Sequence, residues 1–257
     1  VEKEMIQELA RRLWQAARGG TPVDPEAADR LDSLELAYAV ENATRELALA
    51  AGDEVIGYKI GLTSQPARDA FGAGQPAAGH LLAGRLLQDG QPLTTAGLFE
   101  AQVEVEIAFI LGEALSGVDV TAQDVHHATA AVAPAFEIVD SRWCGGARTL
   151  PMLVADNTNA ARAVLGPRVT PPPAGLSKIT ATLLTGSRTV PGSATAVMGD
   201  PTAAVAWLAG HLHRGGARLE AGDIVLSGTL CPPTAISAGD RLVADLGELG
   251  RVAADVG

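Results

Sequence analysis

The sequence predicts a β-rich α+β domain, and three observations carry that prediction. Helical periodicity dominates the first fifty residues, whereas from about residue 98 short apolar runs of strand character outnumber helical stretches. The strands are spaced irregularly, without the repeated strand–helix–strand unit that builds a doubly wound sheet. With 257 residues, 47% of them hydrophobic, the chain can bury a full core, as one large domain or one with a small appendage.

Ile6, Leu9, Leu13 and Ala17 recur at helical spacing, and Gly19-Gly20 stops that helix. A second helix begins near Asp32-Ser33. Glu35 follows Asp32 by three residues, as in a capping box, and Leu36, Val40, Ala43 and Leu47 form an apolar stripe ending at Gly52. Residues 53–61 read as a strand. Residues 62–97, rich in Gly, Ala, Gln and Pro, read as loop with short elements that could cover a site. Further strands are expected at 102–111, 134–140, 178–185, 223–228 and 241–246. Helices are expected at 122–132, opened by Thr121 with Asp124 three residues on, and at 201–214, with Asp200 as cap, Pro201 at the first position and Gly215 as stop. Pro171-Pro172-Pro173 marks a stiff connection.

A net charge of −11, without clustered Lys and Arg, argues against a nucleic-acid surface. No apolar run reaches the length of a membrane span, and Val1-Glu-Lys-Glu has no signal-peptide pattern. Cys144 and Cys231 lack metal-ligand spacing and fit a reducing compartment. The expected location is the cytoplasm, with no membrane or nucleic-acid partner.

Charge inside apolar runs is the informative feature. From Ala101 to Leu111 the odd positions are apolar, while Glu100, Gln102, Glu104 and Glu106 occupy the even ones. Alternate side chains of a strand share a face, so Glu104 and Glu106 stand roughly 7 Å apart, within reach of one cation. The same pattern also describes a half-exposed strand with a solvated side. Glu137 is harder to dismiss, because Phe136, Ile138 and Val139 surround it. Metal binding and acid–base chemistry are the usual reasons for such carboxylates. Lys59 belongs with them: the chain has only three lysines, at 3, 59 and 178, and this one lies inside the strand-like run Val55 to Gly61. There it could pair with a substrate carboxylate or trade a proton, or it could sit on an exposed strand face.

Other segments remain open. Asp140-Ser-Arg142 is expected to be an ion pair bracing a strand end. Asp156-Asn157-Thr158-Asn159 is either turn chemistry or a set of polar groups at a cavity. Ser227-Gly228-Thr229 follows an apolar strand and could offer N–H groups to an anion, or be an ordinary turn. No Gly-x-Ser-x-Gly elbow, nucleotide fingerprint or helical His pair at metal spacing occurs.

Gly57-Tyr-Lys-Ile-Gly-Leu-Thr-Ser64, Val103 to Phe109, Glu137 to Arg142, Ala155-Asp-Asn157 and Gly222 to Gly228 together resemble the 2-keto-4-pentenoate hydratase family. That family includes the 4-oxalocrotonate decarboxylases and lies within the fumarylacetoacetate hydrolase superfamily. The blocks occur in the family's order across nearly the whole chain. The resemblance implies a mixed β-roll of the superfamily's C-terminal type. A smaller helical N-terminal part over 1–75 would contribute the site lysine, and a β-rich metal-binding domain would cover 76–257. It implies a Mg²⁺ or Mn²⁺ site at Glu104, Glu106 and Glu137, a catalytic Lys59, substrate contacts at Leu62, Asp156, Asn157, Ser227, Gly228 and Thr229, and a homo-oligomer.

The implied reaction is hydration of a 2-hydroxy-2,4-dienoate to a 4-hydroxy-2-oxo acid, with the metal polarising the 2-oxo acid. Two departures stand out: the acidic residue family hydratases often carry around His80 to Gly84 is missing, and Thr158 or Asn159 replaces a serine. They raise the alternative of a 2-oxo-enedioate decarboxylase, which would need a cation for its distal carboxylate; Arg85 and Arg148 are candidates. A C–C hydrolase or tautomerase, and a non-catalytic 2-oxo-acid-binding protein, complete the alternatives.

Overall fold

The computed structural model describes residues 2–257. Two helices open the chain, α1 (Glu2–Ala17) and α2 (Leu34–Ala50), followed by β1 (Val55–Gly61). Next come α3 (Gln65–Phe71), β2 (Ala77–Leu82), β3 (Leu86–Gln88), β4 (Gln102–Leu111), α4 (Ala122–Ala128) and β5 (Thr129–Val139). The second half holds α5 (Leu150–Ala155), β6 (Ala160–Leu165), β7 (Thr180–Thr185), β8 (Arg188–Ser193) and α6 (Pro201–Arg214). It ends with β9 (Ile224–Thr229), β10 (Thr234–Ala235), β11 (Arg241–Asp245) and β12 (Arg251–Asp255).

One mixed sheet runs in the order β2-β1-β9-β4-β5-β6-β3, with β10 added to β4, and a second runs β12-β11-β7-β8. The larger sheet curls into a half-barrel, bringing β2 and β6 together although five places separate them in the strand order. Odd residues of β4 (Val103, Val105, Ile107, Phe109) face a core shared with α6 and the second sheet, including Leu183, Leu208, Leu242 and Val252. The other face of the half-barrel is filled partly by small residues, Ala108, Ala131, Ala133, Ala135 and Ala163, with Leu81, Leu165 and Leu226. Those alanines leave room inside the curl. A third cluster joins α1, α2 and α5 through Leu9, Leu13, Val40, Trp143 and Met152.

Most elements lie where the periodicity places them, and α6 matches its expected bounds and its Asp200 cap. The differences have local causes. Ser33, not Asp32, caps α2, its hydroxyl accepting from Leu36 N at 3.2 Å. The capping box of Thr121 and Asp124 is present, yet α4 stops at Ala128 because residues 129–133 join β5. Alanine is the best helix former, but propensity is a weak preference and pairing along β4 overrides it. Residues 62–97 contain α3, β2 and β3 rather than mainly loop. In β2 the run Ala-Ala-Gly-His offers little alternation to read, but antiparallel pairing with β1 makes it a strand. Among the described residues no helix is long and apolar enough to cross a membrane.

Candidate metal centre

Strand register assembles the site. In the β4–β5 ladder Glu104 stands directly across from Glu137, and Glu106 is across from Ala135 on one side and Thr229 of β9 on the other. Glu104 and Glu106 share a face by the two-residue period of β4, so all three carboxylates converge. One oxygen from each can be chosen so that all lie within 4.8 Å of one another. Glu106 and Glu137 are 0% exposed and Lys59 is 2% exposed, which rules out a solvated strand face.

Lys59 reaches the cluster from β1, its Nζ 3.2 Å from Glu137 Oε1, and donates to Thr158 O at 3.0 Å. One ammonium against three carboxylates leaves two negative charges uncompensated. Glu106 Oε2 accepts from Gly228 N at 2.7 Å. Glu106 Oε1 and both Glu137 oxygens are buried without a hydrogen-bond partner among the described residues, apart from the ion pair with Lys59. Such orphaned oxygens are costly unless something else satisfies them. An excess of two negative charges on converging hard oxygens fits a hard divalent cation.

Electrostatics agree with that incompleteness. Burial, opposed by Lys59 and aided by Glu137, pushes the Glu104 carboxyl up to about 7. Burial and then the neighbouring Glu137 and Glu104 raise Glu106 well above the usual range. Burial also raises Glu137, against the pull of Lys59. For Lys59 burial acts downward, but Glu137, Glu104 and Glu106 outweigh it and keep the amine protonated.

Backbone strain gathers around the lysine. Among the described residues five non-glycines have left-handed φ: Leu62, Asn157, Thr158, Asn159 and Met198. Leu62 follows Lys59 by three residues, the 157–159 turn supplies the carbonyl that holds Nζ, and Met198 N donates to Thr63 O at 3.3 Å. A β-branched residue at φ 50°, as Thr158 is, is uncommon and clusters with function. Thr158 Oγ1 donates to Ala78 O, and the Asn157 amide bonds both His80 N and His80 O, fastening this turn to β2. Gly79, opposite Lys59, makes the contact possible: a Cβ there would stand 2.7 Å from Asn157 O.

The remaining sequence candidates fall in different places. The Gly228 N–H is engaged by Glu106, and Thr229 Oγ1 donates to Cys231 O. Ser227 Oγ is buried and has no partner among the described residues. Leu62 packs with the helical cluster around Trp143. Arg142 braces the end of β5, but its acid is Asp156, not Asp140. Its Nε meets Asp156 Oδ1 at 2.5 Å and its backbone N meets Oδ2 at 2.7 Å, while Asp140 accepts from Phe99 N and Glu100 N. The role of the Thr158 carbonyl is not legible in the sequence; the Asn-rich run, which tolerates left-handed φ, is its only signal.

The signature of the fumarylacetoacetate (FAA) hydrolase C-terminal domain matches residues 83–257. The chain belongs to the FAA hydrolase family. It is 38% identical over 246 residues to a 2-hydroxyhexa-2,4-dienoate hydratase of Comamonas testosteroni, covering 93% of each chain. It is 38% identical over 257 residues to a 2-keto-4-pentenoate hydratase of Paraburkholderia phymatum, covering 97% of this chain and 96% of the relative. Among solved structures, the 4-oxalocrotonate decarboxylase of Pseudomonas putida G7, complexed with magnesium and adipate, superposes with a TM-score of 0.94. Its identity is 25%, with 99% and 98% of the two chains covered.

Proposed function

We propose that this chain is a divalent-metal-dependent hydro-lyase that adds water to a 2-hydroxy-2,4-dienoate. The observation that carries this reading is the carboxylate trio with its lysine, three orphaned buried oxygens included, in a chain 38% identical to dienoate hydratases over almost its whole length. Glu104, Glu106 and Glu137 would hold Mg²⁺ or Mn²⁺. When bound, such a cation supplies Lewis-acid polarisation to the oxygens of a 2-oxo acid.

The protein residues do the rest. Two of the three Lys59 N–H donors are directed at Glu137 and Thr158 O, which leaves the third for the substrate's C2 oxygen, where Nζ holds or returns a proton. In the overall reaction the C2 hydroxyl proton is lost and C5 gains one, giving the 3-enoate. Water then contributes OH to C4 and H to C3, and the product is a 4-hydroxy-2-oxo acid. A positioned acid–base group of this kind contributes on the order of 10²–10⁴-fold. The buried Ser227 hydroxyl is available to orient the substrate carboxylate, and the alanine-lined interior accepts its hydrocarbon part. Decarboxylation of a 2-oxo-enedioate is the runner-up, supported by structural likeness at lower sequence identity. The helical 1–75 part and the 76–257 domain, a homo-oligomer and a cytoplasmic location belong to the same proposal.

An ultraviolet assay tests it. Mg²⁺-loaded protein should convert 2-hydroxypenta-2,4-dienoate to 4-hydroxy-2-oxopentanoate, and EDTA should stop the reaction. Release of CO₂ from 2-oxo-3-hexenedioate, with no hydration of the first substrate, would move the chain to the decarboxylase branch.

A further inference from the structure

The turn that follows β1 is built against the preference of its own residues. Leu62 holds φ 59°, in the left-handed region, and Met198, which bonds the same turn, holds φ 50°. A bulky apolar residue adopts that backbone only where its surroundings impose it. Here three hydrogen bonds converge on two carbonyls. Arg68 of α3 donates from Nη1 to Leu62 O at 2.9 Å and to Thr63 O at 3.0 Å, and Met198 N donates to Thr63 O at 3.3 Å. The other arm, Nη2, donates to Gln65 Oε1 at 3.0 Å, and Gln65 Nε2 donates in turn to Asp69 Oδ1. Among the described residues Arg68 has no carboxylate oxygen within 4.0 Å. Its charge is directed at two neutral carbonyls, the stronger class of hydrogen bond.

Fixing a carbonyl also fixes the N–H behind it. Among the described residues the only cis peptide is Thr170-Pro171, so the Leu62–Thr63 peptide is trans and its N–H points opposite to its C=O. Leu62 O is turned toward Arg68, on the exposed side where Arg68 meets Gln65. Thr63 N–H therefore points the other way, into the protein. Thr63 is 5% exposed, and among the described residues no group accepts from its N–H. Buried backbone donors without an acceptor are rare in folded proteins.

Two glycines place this N–H beside the carboxylate cluster. A Cβ on Gly61 would stand 3.5 Å from Lys59 Nζ, and one on Gly228 would stand 2.4 Å from Thr63 Oγ1. Gly228 is the residue whose N–H binds Glu106 Oε2. The turn thus reaches from the site lysine on one side to the donor of Glu106 on the other. We infer that Arg68 is a positioning residue: it locks the Leu62–Thr63 turn so that Thr63 N–H donates to the carboxylate of a 2-oxo acid held at the glutamate cluster. Arg68 does not touch that ligand; it acts through the direction of one peptide. A rigid guanidinium fork suits the task, because two carbonyls in one turn need two donors at a fixed angle. This inference rests on the reading of the glutamate cluster as the 2-oxo-acid site.

Calorimetric titration of the full, Mg²⁺-loaded chain with 2-oxopentanoate tests it, alongside Mg²⁺ titration of the metal-free chain and thermal melting. Arg68→Ala should weaken 2-oxopentanoate about tenfold, the scale of one hydrogen bond to a charged group, while Mg²⁺ affinity stays within about twofold of wild type. In turnover of 2-hydroxypenta-2,4-dienoate the same variant should raise KM by a similar factor and change kcat less. Arg68→Lys, which keeps the charge without the fork, should recover part of the affinity. Gln65→Ala frees the other guanidinium arm and should give the same loss by a smaller factor. A merely structural Arg68 would lower the melting temperature and leave 2-oxopentanoate affinity of the folded protein unchanged, which would overturn the inference. Equal losses of 2-oxopentanoate and Mg²⁺ would overturn it as well, because the damage would then reach the whole cluster. Were Arg68→Ala not to fold, unchanged affinity in both Arg68→Lys and Gln65→Ala would have the same force. Wild type that binds Mg²⁺ but not 2-oxopentanoate would instead remove the underlying reading, and the inference with it.

Discussion

Two buried charged networks share strand β5 in this fold, one on it and one at its end, and are treated in opposite ways. At the end of β5, Arg142 gives Asp156 two hydrogen bonds, and its other donors reach the carbonyls of Asp140, Asp156 and Ala160. Every charge there has a partner. In the glutamate cluster, one lysine faces three carboxylates and three oxygens lack hydrogen bonds. Glu106, Glu137 and Lys59 are buried as deeply as Arg142 and Asp156, so burial alone does not distinguish brace from site. Satisfaction does: the complete network holds the chain, and the incomplete one is the network we propose holds a metal.

The sharpest way to break the comparison is to remove charge from the incomplete network. Glu106→Gln should abolish Mg²⁺ binding and turnover, yet leave the metal-free protein as stable as wild type or more so, because it removes a like-charge contact. Isothermal titration and thermal melting check both halves, and normal activity of the variant would sink the site assignment. Lys59→Ala should keep the metal and lose about 10²–10⁴ in kcat, the usual range for a positioned acid–base group. An unchanged rate would make Lys59 a counter-ion and no more. Cutting the complete network should do the reverse. Arg142→Leu leaves Asp156 buried without its cation and should destabilise the fold by about 3–5 kcal/mol in denaturant melts. Metal affinity of the surviving folded fraction should be retained.

The incomplete network is more legible in the sequence than the complete one, for a physical reason. Glu104, Glu106 and Glu137 interrupt apolar runs, so their burial is written into the local pattern and the β4 period alone puts two of them on one face. Asp156 and Arg142 are separated by fourteen residues of turn and helix, and nothing local says that Arg142 prefers it over Asp140, two residues away. The same limit applies to β2, whose strand state depends on its partner β1, and to β5, whose alanines read as helix until β4 pairs with them. Arg85 is legible as a candidate cation, but its place beside Arg162 follows only from the β3–β6 register. Arg148, the other candidate, is exposed.

Proton competition gives a graded test of the same cluster. Glu104 is pushed up to about 7, first by burial, so below that pH a proton occupies a carboxylate the metal needs. Mg²⁺ affinity should fall by at least about tenfold per pH unit between pH 7 and 5, because Glu106 and Glu137 are raised as well and add their protons to that of Glu104. Stability of the metal-free protein should run the other way. The folded carboxyl titrates above its unfolded value, so the unfolded chain sheds its proton first and stability declines as pH rises from about 4.5 toward 7. Melting temperatures with EDTA across that window should therefore fall, and excess Mg²⁺ should reverse the trend. A flat metal-free profile would mean that the three carboxylates are better solvated than their burial implies.

The smallest expected effect concerns the strained turn that ties Lys59 down. Thr158 acts through its carbonyl, which no substitution removes, but its left-handed backbone can be relaxed. Thr158→Gly should relieve about 1–3 kcal/mol of conformational strain. It also deletes the Oγ1 bond to Ala78 O, a loss of about 0.5–1.5 kcal/mol, and adds backbone freedom to the unfolded chain. These terms oppose one another, so the melting temperature should move by only a few degrees. Turnover should fall several-fold at unchanged metal affinity, because the acceptor that fixes Nζ would wander once its backbone is free. A large drop in stability with kcat untouched would assign the strain to packing against β2 and detach it from the lysine.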